Sequence, residues 1–167
     1  MNFTFLHSQA IKMHKILSQI FEIENLCFEK PYTLNQLQSL WEKPFYCFYL
    51  LLENRTIFSF EHDYTNEKQI TLKPIIGYSV FLESIDELEL LRFAIHPSYQ
   101  NQGLGTWFLS SIIDMYKTKG IFKKIFLEVS EKNQIAIRLY ENLGFRLVAK
   151  RKNYYESSHA LIMYLEL

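Results

Sequence analysis

The stretch that most restricts this chain is Tyr99-Gln100-Asn101-Gln102-Gly103-Leu104-Gly105-Thr106. Before it, Leu90-Leu91-Arg92-Phe93-Ala94-Ile95-His96 reads as a strand, and Pro97 stops it. After it, Leu104, Phe108, Ile112 and Met115 recur at helical spacing. Gly103 and Gly105 remove side chains where the helix begins, so successive backbone N–H groups can face outward and meet an anion. The spacing therefore predicts a phosphate or pyrophosphate cradle at a helix N-terminus. A Walker loop is excluded, because Thr106 follows Gly105 with no lysine between. A dinucleotide fingerprint is excluded too, because no Gly-x-Gly precedes Gly103. The plain alternative is an ordinary glycine-containing helix start.

Elements on either side follow from periodicity and punctuation. Asn2 to Leu6 reads as a short first strand. Ser8 then caps a helix whose core side carries Ile11, Leu17, Ile20, Phe21 and Glu24. Phe28-Glu29-Lys30-Pro31-Tyr32 breaks it. Thr33 caps a second helix, Leu34 to Trp41, with Leu37, Leu40 and Trp41 on one side, and Pro44 ends it. Strands follow at Phe45 to Glu53, Thr56 to Phe60 and Ile75 to Leu82, with a turn at Asn54-Arg55 and a polar loop from His62 to Lys73. After the turn Ser84-Ile85-Asp86, the strand Glu87 to His96 feeds the glycine turn. Gly120 stops the central helix. Lys123 to Ser130 is the next strand, with Ile125, Leu127 and Val129 on one face. Asn133 caps a helix striped by Ala136, Leu139, Tyr140 and Leu143, and Gly144 ends it. Phe145 to Ala149 and Ala160 to Glu166 close the chain as antiparallel strands, with Lys150 to Glu156 between them.

The strand–helix–strand unit around residues 87–130 requires a right-handed crossover between parallel neighbours. The other strands are largely antiparallel. The expected class is α/β (α+β): a mixed central sheet of about six or seven strands with helices on both faces. At 167 residues the chain suits one domain, 1–167.

Composition narrows the partners. Basic and acidic residues balance at 18 each, which gives no argument for direct binding to nucleic acid. Cys27 and Cys47 have neither metal-ligand nor disulfide spacing, and His96 and His159 lack a second ligand near them, so no metal is expected. No signal-like run and no bilayer-length apolar stretch occurs, so a cytoplasmic setting without a membrane partner is the default expectation.

The pattern Gln-x-x-Gly-x-Gly after a strand ending in proline resembles motif A of the GNAT acetyltransferases, which holds the pyrophosphate of acetyl-CoA. The run Leu127-Glu128-Val129 through Asn133, Ala136, Leu139-Tyr140 and Leu143-Gly144-Phe145 resembles motif B. With Arg151-Lys152-Asn153-Tyr154-Tyr155, and with Cys27-Phe28 to Leu37, the chain is similar to the subfamily that acetylates the N-terminal alanine of a ribosomal protein. The resemblance implies a GNAT fold, acetyl-CoA as co-substrate and a ribosomal-protein N-terminus as acceptor. It implies that Glu128 accepts a proton and Tyr140 is the general acid. It further implies that the backbone at Phe93, Ala94 and Ile95 polarises the thioester carbonyl. Asn101, Gln102, Gly103, Leu104, Gly105 and Thr106 would hold the pyrophosphate, Asn133 the pantetheine arm, and Tyr154 and Tyr155 the peptide.

The residues suit this chemistry. A free α-amino group, with a pKa of roughly 8, needs only a modest base before it attacks a thioester. Glu128 lies among Ile, Phe, Leu and Val in its strand. It is either a partly buried carboxylate shifted toward a useful pKa, or an exposed residue on the polar side of an edge strand. Tyr140, a phenol with a pKa near ~10, can protonate a thiolate whose conjugate acid lies near ~8.5; it can equally be a core tyrosine. Lys150-Arg151-Lys152 reads as a solvated loop. Two features depart from the subfamily: extra residues between Thr56 and Pro74, which could border the acceptor groove, and His96 where aspartate is common. Two rival functions stay open. One is acetylation of a lysine side chain or small amine, for which Asp86, Glu87 and Glu89 would offer an acidic pocket; the other is a non-catalytic acyl-CoA sensor. Both cysteines lie outside the motifs, which favours direct transfer in a ternary complex over a covalent route.

Overall fold

Hydrophobic patterning sets the elements of the chain. The computed structural model describes residues 3–60, 73–155 and 158–167, with side chains placed for 13–59, 73–152 and 158–167. In order these form α1 (Phe3–Cys27), α2 (Leu34–Trp41), β1 (Tyr46–Leu52), β2 (Ile57–Phe60), β3 (Ile75–Glu83), β4 (Glu87–Ile95), α3 (Leu104–Lys119), β5 (Lys124–Ser130), α4 (Gln134–Asn142), β6 (Arg146–Tyr155) and β7 (Ser158–Glu166). The strands make one mixed sheet in the order β2-β1-β3-β4-β5-β7-β6. By packing, the chain forms two compact units: Met1–Ser79 with Phe93–Gln100, and Val80–Arg92 with Asn101–Leu167.

In the first unit, α1 buries Ile16, Leu17, Ile20 and Ile23. Glu24, a carboxylate on the same side of α1, is fully buried. Its Oε2 accepts the Tyr32 N–H at 2.7 Å, and its Oε1 accepts the Tyr78 hydroxyl. A buried acid is tolerated only when hydrogen-bonded in this way. Thr33 closes a capping box with Gln36 at the start of α2. Trp41 of α2 packs on Phe48, ring centroids 4.9 Å apart. β1 is buried from Cys47 to Leu52, as its unbroken apolar run requires. It turns into β2 through Arg55, whose φ of 59° is left-handed, and the pair is antiparallel.

Two expectations change here. The segment Asn2 to Leu6 was expected as a strand, yet α1 already begins at Phe3; Asn2 lies outside the described residues, as does the side chain of Ile11. Five residues are too few for alternation to be decisive, and extending an existing helix avoids the nucleation penalty. Ser8 accordingly sits inside the helix instead of capping it. The expected loop from His62 to Lys73, and most of the extra residues between Thr56 and Pro74, also lie outside the described residues.

In the second unit, α3 buries Leu104, Phe108, Leu109, Ile112, Ile113 and Tyr116. Met115 was expected on this stripe and is exposed; Tyr116 takes the place, because the 3.6-residue repeat continues 104, 108, 112 with a step of four. Tyr116 meets Phe81 at 5.4 Å and Phe122 at 5.5 Å between centroids, and donates its hydroxyl to Glu83 at 3.1 Å. Gly120, with φ of 64°, ends α3. The parallel ladder of β4 with β5 runs from Glu87↔Lys124 to Leu90↔Leu127. The antiparallel ladder of β5 with β7 continues to Ser130↔Ala160. The basic run expected as a solvated loop is instead strand: β6 extends through Tyr155 and pairs with β7. Two of its charges are matched, with Lys150 Nζ 2.6 Å from Glu131 and Arg151 Nη2 2.9 Å from Glu128.

One glycine stands out in the first unit. A Cβ on Gly77 would lie 2.6 Å from Ile95 Cδ1 and 3.0 Å from the Ala94 carbonyl oxygen. The backbone atom cannot retreat as a side-chain tip can. Gly77→Ala is expected to lower stability by about 1–3 kcal/mol, read as a lower urea midpoint with unchanged slope.

Candidate active site

The turn predicted to hold an anion is built by local hydrogen bonds. His96 Nδ1 accepts the Ser98 N–H at 3.2 Å, and the Tyr99 and Gln100 N–H groups reach the His96 and Pro97 carbonyls at 2.8 and 3.2 Å. Gln100 Nε2 donates to the Ile95 carbonyl at 2.8 Å, so the glutamine side chain ties the turn to the strand end. Asn101 and Gly103 then take left-handed conformations, with φ of 59° and 72°. Asparagine tolerates that region and glycine adopts it freely.

Gly103 is the N-cap of α3 and supplies no side-chain cap. Trp107 N–H to the Gly103 carbonyl, at 3.0 Å, is the first hydrogen bond of the helix ladder. The N–H groups of Leu104, Gly105 and Thr106 therefore precede the ladder, at the positive end of the helix dipole. Leu104 is buried and anchors this end, while Asn101, Gln102, Gly103 and Thr106 are exposed. A Cβ built on Gly103 would meet nothing within 4 Å. The turn fits a diphosphate.

Glu128 lies one residue past the last β4–β5 pair. Its strand is flanked by β4 and β7, so the edge-strand alternative does not hold. The Glu128 side chain is 22% exposed and its Oε1 is 2.9 Å from Arg151 Nη2. Glu89 sits opposite Phe126 and so belongs to the same sheet face. Burial first, then the charge of Glu128, push the Glu89 carboxyl above the ordinary range, and Arg151 opposes this. Asp86 of the expected acidic pocket is engaged by Lys123 at 2.7 Å, which holds its carboxyl below the usual range.

On α4, Asn133 Oδ1 accepts the Ala136 N–H at 3.1 Å as the cap, leaving the side-chain NH₂ as the part able to donate to a ligand. Tyr140 is buried and edge-on to Phe145, with centroids 5.6 Å apart. Ile137, absent from the expected stripe, is buried about one helical turn before Tyr140. Phe93, Ala94 and Ile95 belong to the first unit; Ala94 and Ile95 are buried. There the Cys27 thiol donates to the Ile95 carbonyl at 3.5 Å. Burial, then the neighbouring Glu24, push that thiol up. Tyr154 and Tyr155 lie on β6, and their side chains are outside the described residues. Among the described residues, no three His, Cys, Asp or Glu side chains are placed to hold a metal ion.

The model of the acetyltransferase (GNAT) family matches residues 17–145. The chain belongs to the GNAT acetyltransferases. A [ribosomal protein bS18]-alanine N-acetyltransferase of Haemophilus influenzae is 36% identical over 141 residues, covering 83% of this chain and 88% of that protein. The homologous enzyme of Escherichia coli is 40% identical over 87 residues, half of this chain and 58% of its own. The crystal structure of the ribosomal-protein-S18-alanine N-acetyltransferase from Escherichia coli superposes with a TM-score of 0.71 at 27% identity, over 90% of this chain and 86% of that one.

Two neighbours of Glu128 escaped the sequence: Glu89, which shares its sheet face, and Arg151, its ion-pair partner. Both depend on register. β6 pairs Leu147 with Met163 but Ala149 with Ile162, so a bulge sits at Val148. A one-residue slip turns every later side chain to the other face. The bulge thereby puts Arg151 opposite Ala160, on the face that holds Glu128 opposite Ile162.

The raised carboxyl of Glu89 has a stability consequence with a definite sign. Above its folded-state pKa the ionised group opposes folding; below its unfolded-state value that penalty is gone. Glu89→Gln is therefore expected to raise Tm at about pH 8 and to leave it unchanged at about pH 3, by calorimetry.

Proposed function

We propose that this chain is an acetyl-CoA-dependent N-α-acetyltransferase that modifies the N-terminal alanine of a ribosomal protein in the cytoplasm, by direct attack in a ternary complex. The observation that carries this reading is the 36% identity, spread over most of both chains, to the alanine N-acetyltransferase of Haemophilus influenzae. Residues 1–167 act as one N-acetyltransferase domain.

The residues divide the work as follows. The amides of 101–106 grip the diphosphate of acetyl-CoA, and the Asn133 NH₂ binds the pantetheine arm. Backbone N–H groups at Phe93 to Ile95 stabilise the negative charge that develops on the thioester oxygen. Glu128 takes a proton from the substrate ammonium, directly or through water; the freed amine then forms the C–N bond. As the C–S bond breaks, the Tyr140 hydroxyl gives its proton to the departing thiolate. Tyr154 and Tyr155 border the peptide. The upward-shifted Cys27 thiol supports direct transfer, because a protonated thiol is a poor nucleophile.

Two measurements test this. Glu128→Gln is expected to bind acetyl-CoA as the parent does and to lose about 10²–10⁴-fold in kcat; full turnover removes Glu128 from the mechanism. In a panel of peptides differing in the first residue, those beginning with alanine are expected to be acetylated fastest at the α-amine. Products confined to internal lysines would favour the side-chain reading, and silence across all amines the sensor reading.

A further inference from the structure

Apolar residues line the buried side of α1: Ile16, Leu17, Ile20 and Ile23. Glu24 continues that side and is fully buried, an uncommon place for a carboxylate. An acid held by hydrogen bonds in a core seldom adds stability over an apolar side chain of similar volume, because desolvation offsets the bonds it makes. Packing alone therefore does not account for Glu24. The groups that its oxygens hold do.

Its Oε1 accepts the hydroxyl of Tyr78 on β3, itself fully buried. Its Oε2 accepts the main-chain N–H of Tyr32 at 2.7 Å. Tyr32 stands just before Thr33, the N-cap of α2. At the last residue of α1, the Cys27 thiol donates to the Ile95 carbonyl at 3.5 Å. That carbonyl also accepts Gln100 Nε2 at 2.8 Å. The same end of β4 is fixed to β3 by the His96 N–H, 2.8 Å from the Ile76 carbonyl. The chain between Cys27 and Tyr32 is thus an arch of four residues, Phe28 to Pro31, with both feet anchored. One foot rests on the end of β4 and the other on the carboxylate of Glu24. Phe28 and Pro31 are half-buried, and Glu29 and Lys30 between them are exposed.

We propose that Glu24 is a positioning residue for the acceptor: through the Tyr32 amide it sets the arch against the end of β4, where the attacking amine meets the thioester. The inference rests on the reading above, in which the amides of Phe93 to Ile95 bind the thioester oxygen. An amine that reaches a carbonyl held there must pass the end of β4. Phe28 is one residue, about 3.8 Å between Cα atoms, from the cysteine that touches that end. Releasing the far foot frees the arch to fluctuate, and the entropy of reordering it is then lost each time the acceptor binds. Acetyl-CoA is spared that loss, because residues 101–106 grip its diphosphate. A carboxylate suits the position, since two oxygens serve two donors, where the amide of a glutamine offers one oxygen.

The test separates the Tyr32 foot from the packing around it. In Glu24→Gln one oxygen faces two donors, so the change is combined with Tyr78→Phe, which removes one of them. E24Q/Y78F keeps an acceptor for the Tyr32 N–H. E24M/Y78F offers only a thioether, a weak acceptor, at similar volume. Both are assayed with acetyl-CoA and a peptide that begins with alanine. E24M/Y78F is expected to raise the KM for the peptide about tenfold, to leave the KM for acetyl-CoA unchanged and to melt near the parent temperature. E24Q/Y78F is expected to return the peptide KM to near the parent value. A third protein carries the α-hydroxy acid analogue of tyrosine at position 32, so that it lacks that N–H alone; it is expected to match E24M/Y78F. This ester protein keeps every side chain and decides the matter even if E24M/Y78F does not fold. Equal peptide KM in the two double variants, or a parent-like KM in the ester protein, overturns the role of Glu24. So does a large fall in melting temperature with both KM values moving together, which marks a purely structural role. Failure of the parent to acetylate the peptide at its α-amine instead overturns the reading of the function on which the inference rests.

Discussion

The ladder joining β4 to β5 is short, and the polar part of this fold depends on where it stops. Pairing runs to Leu90↔Leu127, while β5 keeps its β7 partner to Ser130. Glu128 is the first residue beyond that limit. A glutamate can sit there without leaving its neighbour's N–H and C=O groups unpaired inside a closed sheet. Apolar residues 125, 127 and 129 meanwhile face the other way and are buried, which holds the register of the polar face.

That register decides the electrostatics. Partly buried ion pairs contribute little dependable stability, since desolvation offsets much of the attraction. Their value is orientation. Glu128, Arg151 and Glu89 come from three strands, and each is set by the register of a ladder in the second unit. Lys150, opposite Leu161, lies on the other face of the sheet, 2.6 Å from Glu131. Lys150 and the His159 amide hold the Glu131 carboxyl below the usual range.

Much of this was readable from residue order, and the limits have physical causes. The glycine turn, the cap at Asn133, the capping box at Thr33 and the stop at Gly120 are local devices, so their signals lie within four residues of one another. Every strand but the supposed first one was found, because apolar and β-branched runs mark them. What failed involved choices made at a distance. Residues 2–6 became helix from Phe3 on because α1 extended over them. The run Lys150-Arg151-Lys152 resembled a loop because Lys150 and Arg151 meet their carboxylates only once β6 lies on β7. Glu89 was read as one of three acids of a possible acidic pocket, but Asp86 turned out to belong to Lys123 and Glu89 to the Glu128 face. No spacing rule finds a partner across a bulge.

The latch at Glu24 has a consequence for how such proteins diversify. Its carboxylate grips the segment after α1 through the main-chain amide of Tyr32. That hydrogen bond does not depend on which side chain stands at position 32. A loop held by its backbone is free to vary in what it displays, so new preferences can arise there while the scaffold beneath is inherited unchanged.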